Sequence, residues 1–370
     1  MHKNILLIVI SGIFALLITE FVVRMTLPRP GFVKREEPAG LLIPHPSRHY
    51  AYAPGFSGLV ETEEYKIHID INSMGLRDDP IEPNTEVDIL AIGDSFTIGF
   101  GVEANEAWPE QLESYLNASS QSTTDIRVVN GGVSGYSVAQ IRLLLEDLLI
   151  LDPKLVVLGL YPSRFWRIKN PYVYFSGDAV LRRVVPNLSV VDGGFIRSPV
   201  HGLRLKKLYF WLADNFYVGA YALAATYKLR TWLNQVDNIV PPEESRTVDD
   251  DLAPLLAELD LIQQLLRDRG IALLVVTVNQ QETDGSFAAI EKKHNAVVKK
   301  FCLDRQIDIF DPLPALESSA LGTSKYRIGK DHHWSKEAHA LVGRRVGEYM
   351  QQQGSLLNQK SGMKSNVMLQ

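Results

Sequence analysis

The sequence predicts an α/β fold built on a doubly wound, mostly parallel five-stranded sheet in three layers. Short runs rich in valine, isoleucine and leucine alternate with amphipathic stretches of helical length, first from about residue 87 and again from about residue 255. Strands that alternate with helices form parallel βαβ units, which helices cover on both faces. With 370 residues, 46% of them hydrophobic, the chain can form one large domain or two smaller ones.

The first 26 residues predict a transmembrane signal anchor. Lys3 precedes an apolar stretch over residues 5–18, and a helix of about 20 apolar residues spans a bilayer. A cleaved signal peptide is the alternative, but no small-x-small cleavage signal and no lipid-attachment cysteine follows the stretch. We expect Glu20 near the membrane interface, because a carboxylate is costly deep in lipid.

Two signals oppose each other on the orientation of this anchor. Arg24, Arg29, Lys34 and Arg35 follow the apolar stretch, and the positive-inside rule would keep them in the cytoplasm. An N-terminal apolar segment ahead of a long polar chain, however, usually directs export. We therefore expect a single-pass protein of the cytoplasmic membrane whose main domain faces the periplasm or the cell exterior.

Residues 27–85 are predicted to be a proline-rich tether followed by an N-terminal strand extension. Residues 27–55 are dense in proline and show neither a helical nor a strand period, which favours a tether that wraps the surface. Residues 65–72, YKIHIDIN, alternate between apolar and polar side chains, as a half-exposed strand does. His68 falls on the polar face and is expected to be solvated.

The main domain is predicted over residues 86–352. We expect its strands in VDILAIG, IRVVN, KLVVLGL, IALLVVTV and IDIFD, and its helices near residues 105–116, 138–149, 255–270 and 288–304 and after Trp334.

The alternation of strands and helices stops at about residues 165–248, which we interpret as a mainly helical insertion that begins with a hairpin. Its stripe of Tyr, Phe and Trp is typical of packing against the sheet domain, with a substrate platform as the alternative. Residues 353–370 are polar and are predicted to be a disordered tail.

Composition excludes several classes of function. The formal net charge of -5 provides no basic excess of the kind that binds a nucleic-acid backbone. Cys302 is the single cysteine, so the chain can form neither an intrachain disulfide nor a multi-cysteine metal site. We interpret it as a small buried apolar residue rather than a reactive thiol. We expect no cofactor.

A serine follows the first predicted strand of the sheet, in LAIGDSFT at residues 90–97. Ligands of a parallel α/β sheet bind at the carboxyl ends of its strands, and Gly93 lets the chain turn sharply there. Ser95 would then present its hydroxyl together with nearby backbone N–H groups, which suits a nucleophile and half of an oxyanion hole. Taken alone, the pattern fits an N-cap or turn serine equally well.

Two further segments supply what a serine nucleophile needs. The second strand ends in NGGVSGYS, whose glycines permit close approach of a ligand to a backbone N–H. Asp331 and His333, two residues apart in DHHWS, would point to the same side of an extended segment. A histidine held by an aspartate is the commonest base for a serine. A metal site made of Asp331, His332 and His333 is the alternative, but adjacent residues rarely converge on one ion.

Together these segments resemble the sequence blocks of the SGNH or GDSL-type hydrolase superfamily. GDSFT resembles the block of the nucleophile, NGGVSGYS the block of the oxyanion glycine, and DHHWS the block of the aspartate and histidine. The flanking INSMGLRDD and GFGVEANEAWPEQLE resemble an exported, anchored branch, and the resemblance covers about residues 69–160 and 331–346. It implies a flavodoxin-like sheet with Ser95, Asp331 and His333 as catalytic residues and the N–H groups of Ser95 and Gly135 as oxyanion donors.

The sequence departs from this superfamily in two places. Ser163 and Arg164 stand where its third block has asparagine and aspartate, and the loss of one oxyanion donor costs about 100- to 1000-fold in rate. Ser163 could donate through its hydroxyl, and Arg164 could stabilise an oxyanion or hold an anionic substrate. The superfamily more often separates aspartate and histidine by two residues, a spacing that neither His332 nor His333 meets, and we favour His333 as the base.

Four residues are candidates for substrate binding: Asp94, Arg164, Trp334 and Arg77. Arg77 lies in GLRDD, where a turn or surface arginine is the simpler interpretation. His339 falls within the last helix and is expected to pack there.

The sequence thus predicts a serine-dependent esterase that acts on an acetyl or other acyl ester of a cell-envelope carbohydrate or lipid. If a sugar hydroxyl accepted the acyl group in place of water, the enzyme would be an O-acyltransferase on an envelope polysaccharide. Because of the departure at Ser163 and Arg164, a non-catalytic envelope module that binds a glycan or a protein is a third interpretation. We expect membrane contact through the N-terminal helix and no nucleic-acid partner.

Overall fold

The structure is a computed structural model of the 370-residue chain. It describes residues 2–27, 34–35, 38, 40–62, 64–82, 85–119, 125–168, 173–176, 180–183, 188–191, 194–197, 215–219, 221–222, 248–320 and 325–354. The chain forms two compact units. The larger comprises Gly40–Val184 and Ser245–Gln370, and the smaller comprises Met1–Ala39 and Val185–Glu244.

The strands of the described residues are numbered here along the chain. They are β1 (Lys34–Arg35), β2 (Leu42–His45), β3 (His49–Tyr52), β4 (Ser57–Glu61), β5 (Lys66–Asp70), β6 (Ile89–Gly93), β7 (Val128–Gly132), β8 (Leu155–Leu160), β9 (Val173–Ser176), β10 (Val180–Arg183), β11 (Leu188–Val191), β12 (Gly194–Arg197), β13 (Ala272–Thr277) and β14 (Asp308–Phe310).

The helices are numbered in the same way. The α-helices are α1 (His2–Thr26), α2 (Ser95–Ile98), α3 (Trp108–Ser119), α4 (Val138–Leu148), α5 (Val248–Arg267), α6 (Ala289–Asp304), α7 (Leu313–Ala320) and α8 (Lys336–Gln353). Short 3-10 helices lie at Ala104–Glu106, Leu149–Leu151 and Pro162–Ile168.

The larger unit contains the five-stranded parallel sheet that the sequence predicts. Its strand order is β14-β13-β8-β6-β7, and every neighbouring pair is parallel. Because β6, β7 and β8 follow one another in the chain, the strand order reverses between β6 and β8. In a doubly wound sheet, this reversal is the point where ligands bind, outside the carboxyl ends of the strands.

Helices cover both faces of this sheet, which confirms the predicted three layers. Helices α3 and α8 pack together on one face, and helix α5 packs against both α4 and α6. Alternate residues of β6, such as Ile89 and Ala91, share one buried cluster with Trp108 of α3 and Val342 of α8. Every residue of β6, β7, β8 and β13 is buried, as strands covered on both faces require.

Two antiparallel hairpins precede the sheet in the larger unit. Strand β5 pairs with β4 and alternates between exposed and buried residues, with His68 on its exposed side, as predicted. Strands β2 and β3 pair within the segment for which the sequence analysis predicts only a tether. The hairpin forms there because Tyr50 and Tyr52 bury their side chains almost completely. A proline-rich sequence pattern does not reveal this burial.

The predicted insertion is described only in part. Strands β9 and β10 form one hairpin, and β11 pairs with β12 to form a second, where the sequence analysis expects a single hairpin. Most of the expected aromatic helices and the predicted disordered tail lie outside the described residues.

A helix forms where the sequence analysis predicts the anchor. In the smaller unit, the carboxylate of Glu20 on α1 accepts the backbone N–H groups of Tyr217 and Val218 at 2.8 and 2.9 Å and pairs with Arg24. Within the described part of the chain, no helix combines the length and apolar character needed to cross a membrane.

Candidate active site

The chain turns from strand β6 directly into the short helix α2, whose first residue is Ser95. Asp94 caps this helix, and its carboxylate accepts the backbone N–H of Phe96 at 3.1 Å. A carboxylate at this position satisfies an N–H that the first turn of a helix leaves unpaired. Ser95 is thereby fixed at the carboxyl end of a central strand, next to the reversal of strand order.

A row of three glycines gives α2 room to lie against the end of the sheet. Gly93 is in register with Gly132 on one side and Gly159 on the other. A Cβ atom at Gly132 would lie 2.2 Å from the backbone nitrogen of Ile98, and one at Gly93 would lie 2.0 Å from Thr97 Oγ1. Both distances are far inside van der Waals contact, so the nucleophile helix depends on the missing side chains of this row.

The structure brings Ser95, His333 and Asp331 together in a hydrogen-bonded chain. His333 Nε2 lies 2.8 Å from Ser95 Oγ, and His333 Nδ1 lies 2.5 Å from Asp331 Oδ1. The same carboxylate oxygen accepts the backbone N–H of His333 at 2.9 Å. This is the arrangement in which an aspartate fixes the tautomer of a histidine, and the histidine can take the proton of a serine.

Asp331 is held in its ionised form. Burial alone would raise the pKa of its carboxyl, but the charge of His333 and the two hydrogen bonds from that residue lower the pKa to about 2. A carboxylate that stays ionised can stabilise the imidazolium that forms when His333 accepts a proton.

Aromatic side chains fix the ring of His333. Its centroid lies 5.1 Å from that of Phe96 and 4.6 Å from that of Phe100. The loop that carries it is closed by the backbone hydrogen bond from Ile328 to the carbonyl of His333 at 3.1 Å. Sequence reasoning did not identify Phe96 and Phe100 as part of the site, although their spacing of four residues was a signal.

The loop with the proposed oxyanion glycine is held by the β2–β3 hairpin. Tyr50 donates its hydroxyl hydrogen to the carbonyl of Ser134 at 2.6 Å, and the Tyr52 hydroxyl accepts the N–H of Ser134 at 2.9 Å. Gly135 adopts a φ of 78°, in the left-handed region that glycine tolerates best. Neither its N–H nor that of Ser95 donates a hydrogen bond to another described residue, and their oxyanion role stays a prediction.

Ser163 makes a contact that the sequence did not suggest. Its Oγ lies 2.8 Å from Nδ1 of His294 on helix α6, and the ring of His294 packs edge-on against Phe165. His294 is buried, and burial lowers the pKa of its imidazole. The hydroxyl that could have donated to an oxyanion is thus engaged by a neighbouring helix.

Arg77 does not line the site and is not a surface residue. It is 1% exposed and donates to the carbonyl oxygens of Gly99 at 2.8 Å and Val102 at 2.9 Å, as well as to that of His68 at 2.8 Å. The prediction of a substrate-binding or turn arginine was therefore wrong, because the two terminal nitrogens of the guanidinium donate to backbone carbonyls next to α2 and in β5.

Trp334 is likewise not placed to bind substrate. It is 1% exposed, its indole N–H donates to the carbonyl of Asn279 at 2.7 Å, and its ring packs edge-on against Phe96. This prediction was also wrong: the tryptophan is part of the core beneath the catalytic loop.

His332 and His339, the two other histidines considered in the sequence analysis, do not contact Ser95. His332 is exposed, and it is His333 that contacts Ser95. His339 is fully buried in α8, where its Nδ1 accepts the backbone N–H of Trp108 at 3.2 Å. Burial lowers the pKa of His339 to about 3, so this ring is a neutral part of the core.

A cleft of about 300 Å³, including space open to solvent, lies at the carboxyl ends of β6 and β8. Its described lining consists of Asp94, Tyr136, Ser137, Val138, Ile141, Gly159, Leu160, Tyr161, Arg164, Phe165 and Leu255. Asp94, the residue before Ser95, belongs to this lining, whereas Ser95 and His333 do not. Two of the predicted substrate-binding residues, Asp94 and Arg164, line it.

Two remaining expectations concern metal ions and the cysteine. No group of three or more His, Cys, Asp or Glu side chains among the described residues is arranged to hold a metal ion. Cys302 is fully buried, and burial raises the pKa of its thiol to about 12, so its sulfur stays protonated and unreactive.

No family model and no curated protein matches the chain. Solved structures that it resembles include a lipolytic protein of the G-D-S-L family from Desulfitobacterium hafniense DCB-2, at 13% identity and a TM-score of 0.39, covering 71% of this chain and 98% of that one. An S15A mutant of the acetylxylan esterase Axe2 from Geobacillus stearothermophilus matches at 14% identity and a TM-score of 0.42, covering 74% and 97%. A G-D-S-L lipolytic protein from Veillonella parvula DSM 2008 matches at 12% and 0.39, covering 72% and 98%.

With TM-scores below 0.5, the chemistry of the site must be judged from its own geometry.

Proposed function

We propose that this protein is a serine esterase of the SGNH type. The observation that carries the proposal is the continuous chain of hydrogen bonds from Ser95 through His333 to Asp331. A serine, a histidine and an ionised aspartate at these distances form a nucleophile, a general base and the group that orients the base. A module that only binds a glycan would not need this chain.

The first half of the reaction acylates the enzyme. Ser95 Oγ attacks the ester carbonyl carbon while His333 Nε2 takes the hydroxyl proton, and Asp331 stabilises the imidazolium. The carbonyl oxygen becomes an oxyanion, for which the N–H groups of Ser95 and Gly135 are the proposed donors. The intermediate collapses when the bond to the alcohol oxygen breaks, and His333 returns its proton to the departing alcohol.

The second half releases the acyl group. A water molecule attacks the acyl-enzyme while His333 Nε2 accepts its proton. The second tetrahedral intermediate expels Ser95 Oγ, which recovers the proton, and the carboxylic acid leaves. The net reaction consumes one ester and one water and yields one alcohol and one acid, with Ser95, His333 and Asp331 unchanged.

Hydrolysis of short p-nitrophenyl esters by the wild-type protein and by Ser95→Ala tests the proposal. We expect turnover that falls to background in the variant, and labelling of Ser95 in the wild-type protein by a fluorophosphonate. A wild-type protein that is neither active nor labelled would contradict the proposal, because a functional triad reacts with the phosphonate even where the ester is a poor substrate.

The natural substrate and the location belong to the same proposal. We propose an acyl ester of a cell-envelope carbohydrate or lipid as substrate, and export across the cytoplasmic membrane directed by the apolar N-terminal segment. The apolar run over residues 5–18 supports export. Protease treatment of cells with a permeabilised outer layer and an intact cytoplasmic membrane tests the location, with fully lysed cells as the control. We expect the full chain to be digested in both samples. A chain that is digested only after lysis would contradict the proposed location.

A further inference from the structure

Arg164 brings a positive charge into the cleft at the carboxyl ends of β6 and β8. The side chain lines this cleft together with Asp94, and its guanidinium carbon lies 5.2 Å from the centroid of the Tyr161 ring. That ring packs edge-on against Phe96, with centroids 5.5 Å apart, and Phe96 directly follows Ser95. The guanidinium is therefore separated from the nucleophile by two aromatic rings.

The guanidinium is poorly satisfied by the protein itself. Its Nη2 donates one long hydrogen bond, 3.3 Å to Gln280 Oε1, and its Nε is buried without a hydrogen-bond partner. Arg164 forms no ion pair with any residue that the structure describes. A guanidinium offers five N–H donors in a planar fork, so most of its capacity is left for a ligand.

Two acidic side chains lie near Arg164, and both accept hydrogen bonds from other residues. Asp94 Oδ1 accepts the N–H of Phe96. Glu291 accepts the hydroxyl of Tyr161 on one oxygen and the N–H of Gln280, at 3.0 Å, on the other, and burial raises the pKa of its carboxyl. Neither group forms an ion pair with Arg164.

The charge of Arg164 also reaches the catalytic loop. Burial first, then Arg327 and, more weakly, Arg164 lower the pKa of His332, the residue before the catalytic histidine. The guanidinium thus acts electrostatically on the loop that carries His333.

We propose that Arg164 binds a carboxylate of the substrate in this cleft, so that the enzyme prefers esters that carry a negative charge. The inference rests on the proposed esterase function and names its substrate class. One guanidinium fork matches one carboxylate in a two-bonded geometry. The carboxylate belongs either to the acyl group or to the alcohol, as in a hexuronic acid.

Binding to the full chain with Ser95→Ala tests this inference without hydrolysis. Calorimetry compares an anionic with a neutral ester of similar size in two arms. The first arm pairs mono-4-nitrophenyl glutarate with 4-nitrophenyl pentanoate, and the second pairs an O-acetyl hexuronic acid methyl glycoside with the matching O-acetyl hexose.

We expect the anionic ester of one arm to bind about 10- to 100-fold more tightly than its neutral partner, the range of a hydrogen bond to a charged group. When Arg164→Gln is combined with Ser95→Ala, the anionic and the neutral ester should bind equally tightly. With Arg164→Lys part of the preference for the anionic ester should remain, because a lysine keeps the charge but not the planar fork. The arm that shows the ratio identifies whether the acid or the alcohol carries the carboxylate.

The control is Arg305→Gln, which removes a surface guanidinium paired with Asp260 and should leave the ratio unchanged. Thermal unfolding of the Arg164 variants checks that they are folded. Equal binding of anionic and neutral esters in both arms, or a ratio that survives Arg164→Gln, overturns the inference. A wild-type protein that neither hydrolyses an ester nor reacts with the fluorophosphonate would instead contradict the proposed function, and the binding ratio would still decide the role of Arg164.

Discussion

The guanidinium of Arg77 donates a hydrogen bond of 2.8 Å to the carbonyl oxygen of Gly99, the residue that ends the helix of the nucleophile. A cation at the carboxyl end of a helix also opposes the partial negative charge of the last carbonyls. Arg77 is therefore a positioning residue for Ser95, although it lies outside the cleft.

Arg77→Met should lower both stability and activity. Loss of the guanidinium leaves several buried carbonyls unpaired, so we expect the free energy of unfolding to fall by about 2–4 kcal/mol, and kcat for a p-nitrophenyl ester to fall in the folded protein. Denaturant titration and initial rates at low temperature measure the two effects. The control, Arg344→Met, removes an exposed guanidinium paired with Glu348 and should cost less than about 1 kcal/mol. Equal effects of the two substitutions would contradict the role of Arg77.

Asp331→Asn should lower kcat by about 1000-fold or more, because an amide cannot hold His333 in the tautomer that accepts the serine proton. Stopped-flow rates with a p-nitrophenyl ester measure this loss. KM should change little, since Asp331 does not line the cleft. Substitution of the neighbouring exposed residue, His332→Gln, is the control, and an equal loss of kcat there would show that the histidine assignment is wrong.

Gly132→Ala should reduce activity far more than Gly131→Ala. A Cβ at Gly132 would lie 2.2 Å from the backbone nitrogen of Ile98 in the nucleophile helix, whereas at Gly131 the nearest atom is 3.1 Å away, on the side chain of Ile92. We expect kcat to fall at least about 100-fold for Gly132→Ala, since a displacement of about 1 Å can cost that much. Parallel assays with circular dichroism separate loss of activity from loss of fold, and similar rates for the two variants would refute the packing argument.

Ser163→Ala should reduce kcat by less than about tenfold. A lost oxyanion donor would cost about 100- to 1000-fold, but the Ser163 hydroxyl lies against His294 Nδ1 rather than standing unpaired. Steady-state kinetics of Ser163→Ala and of His294→Gln measure the loss of kcat in each variant. A loss of 100-fold or more with Ser163→Ala alone would establish the serine as an oxyanion donor after all.

Stability should fall as the pH rises from about 5 to about 8. Burial, and after it the charges of Asp78 and Glu113, raise the pKa of Glu110 to about 8. A carboxyl with a raised pKa in the folded state binds its proton more tightly there than in the unfolded chain, so folding is favoured below the unfolded pKa of about 4.5 and loses that contribution as the pH approaches 8.

Glu110→Gln should flatten this dependence and raise the unfolding temperature at pH 8. Scanning calorimetry between pH 5 and 8.5 measures the effect for the wild type and the variant. Glu337→Gln, which changes an exposed glutamate, is the control and should preserve the slope. An unchanged slope in Glu110→Gln would show that other groups cause the dependence.

The sheet and the triad could be predicted from the sequence because each is encoded locally. Parallel strands covered on both faces form continuous apolar runs, as in ILAIG and LVVLGL, and the three residues of the proposed triad lie in short segments with characteristic spacing. Arg77 and Trp334 could not be assigned in this way, since their partners come from distant positions. The carbonyls that bind Arg77 belong to residues 68–102, and nothing in GLRDD indicates that they converge.

The β2–β3 hairpin escaped prediction for a related reason. Its prolines suggest a tether, and the alternation in HYAY covers only four residues. The stabilising contacts are made by the hydroxyls of Tyr50 and Tyr52 with Ser134, more than 80 positions away.

This hairpin determines where an expression fragment of the protein can begin. A fragment starting at residue 86 would include the three blocks GDSFT, NGGVSGYS and DHHWS. It would lack both tyrosines that hold the loop of Gly135 and the arginine that holds the end of the nucleophile helix. A gene fragment for biochemical work should therefore start at or before Gly40, so that the residues between the N-terminal helix and the first sheet strand are retained as part of the enzyme.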